Sequence, residues 1–137
     1  MVKINFFTDG ACNDKKYGGW AFYNPELNIL VCGNKQNTTN NEMELKAIGS
    51  VLKYIVQSKI TKKEIIIHSD SAWSIGAILN EWKLTHHINY IKNIKEVIKQ
   101  LKINNDVTIK FNKVRGHNNI FENELCDFFA VIMSNKN

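Results

Sequence analysis

Three consecutive isoleucines, Ile65-Ile66-Ile67, stand between a charged segment and His68-Ser69-Asp70. β-Branched side chains favour extended backbone. Apolar residues at every position, with no alternation, predict a strand over Glu64–Ser69 that is covered on both faces. A strand of that kind requires a sheet with helices packed on it. The rest of the chain supplies both.

Lys3–Thr8 reads as a strand ending at Asp9-Gly10, and Gly18–Tyr23 and Leu27–Gly33 as two more. Asn24-Pro25-Glu26 gives the turn between the latter two. Thr38-Thr39-Asn40-Asn41 offers N-caps for a helix running to about Ser58, which buries Ile48, Val51, Leu52 and Ile55. Ser71–Glu81 is a shorter helix, with Ser71 as its cap. Ile88, Ile91, Ile94, Ile98 and Leu101 mark another. Val107–Val114 alternates like a half-buried strand, and Phe121–Met133 closes as an apolar helix. The fold class is therefore α/β, a five-stranded mixed sheet covered by helices, in the order β-β-β-α-β-α-α-β-α. With no repeat or linker-like stretch, residues 1–137 are expected to form a single domain.

No apolar run reaches the roughly 18 residues of a membrane span, and the N-terminus has no signal-peptide core. Cys12, Cys32 and Cys126 form an odd set without metal-ligand spacing, as expected of reduced thiols in a cytoplasmic protein. The net charge is +5, and all but one of the 18 cations are lysines, Arg115 being the exception. That excess favours a polyanionic partner, nucleic acid first. Lysine suits phosphate contact as a point charge, and the near absence of arginine argues against bidentate reading of guanine.

Ligand sites in such sheets gather beyond the carboxyl ends of adjacent parallel strands. Asp9 ends the first strand and Asp70 follows the fourth. Either acid alone is adequately explained as a turn or helix cap. If the first and fourth strands are neighbours, and the first helix crosses them, Glu44 approaches both aspartates and Asp127 of the last helix can join. Two like charges about 4 Å apart repel by roughly 4 kcal/mol at an effective dielectric of 20. Such a cluster needs protons or cations, and hard oxygen ligands suit Mg²⁺ or Mn²⁺. A basic chain with a metal-binding acidic cluster fits a nuclease.

The residues around these acids carry a family resemblance. They are Thr8-Asp9-Gly10-Ala11-Cys12 with Gly18-Gly19, then Asn37-Thr38-Thr39-Asn40-Asn41-Glu42-Met43-Glu44-Leu45. Ser69-Asp70-Ser71 follows, and then Val114-Arg115-Gly116-His117 with Glu122-Asn123-Glu124-Leu125-Cys126-Asp127. In this order they resemble the type 1 ribonuclease H family, in its short form without an accessory hybrid-binding domain. The resemblance implies the ribonuclease H-like fold and hydrolysis of the RNA strand of RNA/DNA hybrids, leaving 3′-hydroxyl and 5′-phosphate ends. It implies that Asp9, Glu44, Asp70 and Asp127 hold two Mg²⁺ ions, with Mn²⁺ a possible substitute, and that Asp9 bridges them. His117 would serve proton transfer and product release, and Glu124 would support the metal site. Gly10 and Cys12 would meet RNA through backbone, Asn40 and Asn41 would read 2′-hydroxyls, and Thr39 would hold a DNA-strand phosphate. No small-molecule cofactor or membrane is implied, and a monomer is expected.

The chain also departs from the family pattern. The loop Asn13-Asp14-Lys15-Lys16-Tyr17 is short, Ala72 stands where many members carry glutamine, and Glu42 introduces a charge that could weaken phosphate approach. Only Lys83-Leu84-Thr85-His86-His87 remains where many bacterial members insert a basic handle. Lys92, Lys95, Lys99 and Lys102 share one side of the following helix, as either a solvated face or a substitute phosphate track. Two other readings remain: a catalytically silent nucleic-acid-binding module, and a nuclease of this fold acting on DNA or structured RNA.

Overall fold

The computed structural model describes residues 1–80, 82–115 and 120–136. Five strands and four helices follow in the expected order: β1 Val2–Cys12, β2 Tyr17–Asn24, β3 Ile29–Gln36, α1 Asn40–Gln57, β4 Lys63–Ser69, α2 Ala72–Leu79, α3 Ile88–Asn105, β5 Val107–Lys113 and α4 Phe121–Ser134. The strands form one mixed sheet in the order β3-β2-β1-β4-β5. β1 runs antiparallel to β2 and parallel to β4, and β4 runs parallel to β5. The two strands that carry the leading aspartates are therefore neighbours.

β1 is longer than its apolar pattern implies. Its parallel ladder with β4 spans Val2↔Lys63 to Thr8↔Ser69 and stops there. Its antiparallel ladder with β2 begins at Phe7↔Tyr23 and continues to Cys12↔Gly18. Asp9 thus lies within the strand, opposite Ala21, rather than at its end. Residues 9–12 lack an alternating apolar pattern, so only pairing with β2 reveals their extension.

The core lies between the sheet and α1, α2 and α3. Phe6, Phe22, Ile65 and Ile67 meet Leu45, Ile48, Val51 and Ile55 of α1, and Ile91, Ile94 and Leu101 of α3 add to them. The opposite face carries a smaller cluster of Phe7, Ala21 and Cys126, covered by α4. β4 is thus covered on one face by helices, while Ile66 and His68 on the other are only partly covered, so the cover on both faces expected from its isoleucine run is incomplete.

Local caps follow the chemistry of their residues. The Thr39 side chain accepts the Glu42 N–H at 3.2 Å, so Thr39 is the N-cap, and Asn40 and Asn41 enter the first turn of α1 exposed. Ser71 caps α2 by accepting the Ser74 N–H at 3.1 Å. Asn24 accepts the Leu27 N–H at 2.6 Å in the β2–β3 turn. Among the described residues, no helix is long and apolar enough to cross a membrane.

Candidate active site

Asp9, Glu44 and Asp70 converge where the β1–β4 ladder ends. One carboxylate oxygen from each lies within 4.8 Å of the others. Asp9 is 4% exposed and Glu44 7%, whereas Asp70 is half-buried just past β4. The end of β4 is pinned on both sides. The Thr8 hydroxyl donates to the His68 carbonyl at 3.2 Å, and the Val114 N–H donates to the Ser69 carbonyl at 2.9 Å. Asp70 therefore projects from a fixed point.

Gly10 joins the strand to the helix. Its N–H donates to Asp9 Oδ1 at 2.9 Å and also to Glu44 Oε1. A Cβ at Gly10 would collide with the backbone of Met43 and Glu44, so only glycine lets α1 come this close. Main-chain contact thus sets the spacing between the Asp9 and Glu44 carboxylates.

The electrostatics are those of a site made for cations. Burial raises the Asp9 carboxyl from 3.8 to about 7, against the lowering effect of its hydrogen bond with Glu44 and with further raising by the Asp70 and Asp127 charges. Burial also raises Glu44, assisted by the Asp9 hydrogen bond and the Asp9 and Asp70 charges, with the Gly10 N–H opposing. A proton relieves this repulsion when no cation is bound. The hard, all-oxygen donor set fits Mg²⁺ or Mn²⁺.

Asp127 stands apart from the close group of three. It is half-buried on α4, and its charge acts on Asp9, raising the Asp9 carboxyl. Cys126 faces the other way, fully buried, with its thiol donating to the Phe7 carbonyl at 3.2 Å. Burial raises that thiol far above its ordinary range. Asn123 is buried one turn before Asp127, and its Oδ1 has no hydrogen-bond partner among the described residues. Glu124 is exposed in the first turn of α4. His117 lies outside the described residues.

At the mouth of the site, Thr39, Asn40 and Asn41 are all exposed. Cys12 is partly covered, its thiol donating to the Thr38 carbonyl at 3.4 Å. Glu42 does not present the free charge that the sequence implies. Lys35 Nζ lies 2.8 Å from it, and the Thr38 hydroxyl also donates to it. Burial pushes its carboxyl up, but the Lys35 and Thr38 hydrogen bonds and the Lys35 and His87 charges prevail and lower it.

The short segment before α3 forms a wall that periodicity could not indicate. Trp82, Lys83, His86 and His87 line a cavity of about 380 Å³ together with Thr39, Asn41 and Trp73. Trp82 is 49% exposed and lies over Gly76, where a Cβ would meet its indole. The lysine row on α3 divides. Lys95 donates to the Asn80 carbonyl at 3.3 Å and Lys102, though exposed, to the Thr108 hydroxyl at 3.1 Å, whereas Lys92 and Lys99 are exposed with no hydrogen bond or ion pair among the described residues.

Comparison with known proteins agrees with this arrangement. The family model described as RNase H matches residues 1–134. The chain is 36% identical over 150 residues to a ribonuclease H of Caldicellulosiruptor saccharolyticus, covering 97% of each protein. It is 35% identical over 137 residues to a ribonuclease H of Campylobacter jejuni, covering 95% of this chain and 90% of the relative. With a ribonuclease H of Acetivibrio thermocellus, identity is 32% over 154 residues, across 100% of this chain and 98% of the relative. A sheet with this strand order, a buried carboxylate group beyond its parallel strands and matches along nearly the whole chain together show that it belongs to the ribonuclease H family.

Proposed function

We propose that this protein is an endonuclease that hydrolyses the RNA strand of RNA/DNA hybrids, with two divalent cations held by Asp9, Glu44, Asp70 and Asp127. The observation that carries the reading is the group of Asp9, Glu44 and Asp70 within 4.8 Å of one another, buried and mutually repelling. Bound there, Mg²⁺ supplies a water of lowered pKa and charge stabilisation for the departing 3′-oxygen. Asp9, central to the group, would hold the cations together with Glu44, Asp70 and Asp127. Gly10 fixes the orientation of Asp9 and Glu44 through its N–H. The products carry 3′-hydroxyl and 5′-phosphate ends.

Substrate choice rests on sugar and phosphate. Asn40 and Asn41 form no side-chain hydrogen bond among the described residues, so their amides are available to 2′-hydroxyls, which both donate and accept. The backbone of Gly10 and Cys12 faces the same strand. The cavity lined by Thr39, Trp82, Lys83 and His86 takes the DNA strand. Contacts of this kind carry little base preference. His117 moves a proton and assists product release, and Glu124 supports the metal site. The same reading makes the protein a cytoplasmic monomer with Cys12, Cys32 and Cys126 reduced.

The test is cleavage of an end-labelled hybrid with Mg²⁺ or with EDTA, beside Asp70→Asn. Metal-dependent cutting of the RNA strand alone, lost in the variant with hybrid binding retained, is expected. Tight hybrid binding without cutting under Mg²⁺ or Mn²⁺ would make the chain a binding module. Preferential cutting of duplex DNA or structured RNA would assign it a different substrate.

A further inference from the structure

A second surface lies on the far side of α1 from the carboxylates. Gly49, Leu52, Lys53 and Val56 of α1 face Tyr90, Asn93, Ile94 and Val97 of α3 across a groove of about 390 Å³. Each helix contributes positions at three- and four-residue spacing, so the groove follows both helix axes. Its floor is apolar: Leu52 and Ile94 are 2% and 4% exposed. Tyr90 closes one end, packed so near Gly49 that a Cβ there would strike its hydroxyl. At the other end Val56 is 50% exposed. Val56 is open to water there, and Tyr90 and Val97 are only partly covered.

Charge indicates what it takes. Lys53 lines the groove, and Lys46, seven residues or roughly 10 Å earlier on α1, is exposed beside its Tyr90 end. Among the described residues, no carboxylate lines the groove. Of the two acids on α1, Glu42 is neutralised by Lys35 and Glu44 belongs to the catalytic group. The acid nearest on α3, Glu96, accepts a hydrogen bond from Gln100 at 2.8 Å. A nucleic-acid strand would leave the apolar floor unused, because phosphates and sugars have nothing to place on Leu52, Ile94 and Val97.

We propose that the α1–α3 groove binds a short acidic amphipathic helix of a partner protein. Its apolar side chains, three and four residues apart, would sit between Val56 and Val97 on the Leu52–Ile94 floor. Carboxylates seven residues apart would meet Lys46 and Lys53. This is the helix-in-groove mode of recognition, with charge setting orientation and association rate. The groove lies beyond Glu44 along α1, so a docked partner can hold the enzyme near its substrate without covering the carboxylates.

The experiment uses the full chain and a library of fluorescein-labelled 14-residue helical peptides. Glutamates are fixed at positions i and i+7, and leucine or phenylalanine varies at i+3 and i+4. Anisotropy should find members with micromolar affinity. That affinity should fall at least tenfold in Lys53→Glu and in Val56→Asp, two exposed positions outside the catalytic site, with hybrid cleavage unchanged in both. Peptides with alanine in place of the apolar residues should not bind. The proposal is overturned if no member binds or if both variants bind as the parent does. It is also overturned if saturating hybrid displaces the peptide while Lys53→Glu weakens hybrid binding, which would make the groove a nucleic-acid site. A concentration-dependent dimer abolished by Val56→Asp would make the occupant a second copy of this chain.

Discussion

Replacing Asp9 with asparagine removes a charge that the metal-free fold carries at a cost. The Asp9 carboxyl is raised from 3.8 to about 7 by burial, with Asp70 and Asp127 adding repulsion. One pKa unit is worth about 1.4 kcal/mol, so the shift corresponds to roughly 4 kcal/mol. The folded state holds its proton more tightly than the unfolded state. The penalty is therefore absent below about pH 4, grows as pH rises through the interval to about 7, and is complete above it. Asparagine keeps the shape, and its Oδ1 can still accept a hydrogen bond from the Glu44 carboxyl. Asp9→Asn should stabilise the protein in EDTA by about 2–4 kcal/mol at pH 8, raising Tm on the order of 10 °C for a domain of this size. At pH 4 the gain should nearly vanish. Added Mg²⁺ should stabilise the parent and leave the variant almost unmoved. Urea unfolding followed by circular dichroism at pH 4, 6 and 8 measures each quantity. A variant no more stable than the parent at pH 8, or a gap that does not widen with pH, would refute the electrostatic account of the site.

Further substitutions probe other parts of the structure. Gly10→Ala should force α1 away from β1, costing about 1–3 kcal/mol by urea titration and abolishing cleavage; unchanged activity would mean the contact does not set the carboxylate spacing. His117→Ala should slow steady-state turnover without abolishing single-turnover cleavage, and an unchanged steady-state rate would leave that residue a structural one. Charge reversal at both Lys92 and Lys99, the unpaired members of the α3 row, should raise KM and flatten its dependence on salt; if neither moves, no phosphate track runs along this helix.

The element order was legible in the sequence because apolar spacing and cap residues agree with the packing they meet. Ile48, Val51, Leu52 and Ile55 repeat with the helix and are all buried, and Thr39 and Ser71 cap the helices they precede. Asp9 and Asp70 could be placed near each other once their strands were taken as neighbours, as the parallel ladder makes them. The end of β1 was not legible, since its last residues owe their conformation to β2 rather than to their own pattern. Nor was the state of Glu42. Its partner Lys35 lies on the edge strand, and only the return of β3 against α1 brings the two together. Lys95 and Lys102 belonged to the expected lysine row, yet their ends turn to Asn80 and Thr108, contacts made by folding rather than by helical phase.

The sheet is put together as a lap joint. β1 is bound to β4 through Thr8 and to β2 from Phe7 onward, so the two halves overlap on it by only two residues. Sliding of the β2–β3 hairpin against the β4–β5 pair is resisted by that short overlap and by α1, which packs on β1 and β2 and shares its core with Ile65 and Ile67 of β4. Asp9 sits immediately beyond the overlap and Asp70 at the end of the β4 side. Any shear between the halves therefore appears first as a change in the distance between these two carboxylates. A cation held by both would act as a rivet through the joint. Amide exchange along Phe7–Cys12 should slow on metal binding more than exchange in the core of α1, coupling the firmness of the sheet to the occupancy of the site it carries.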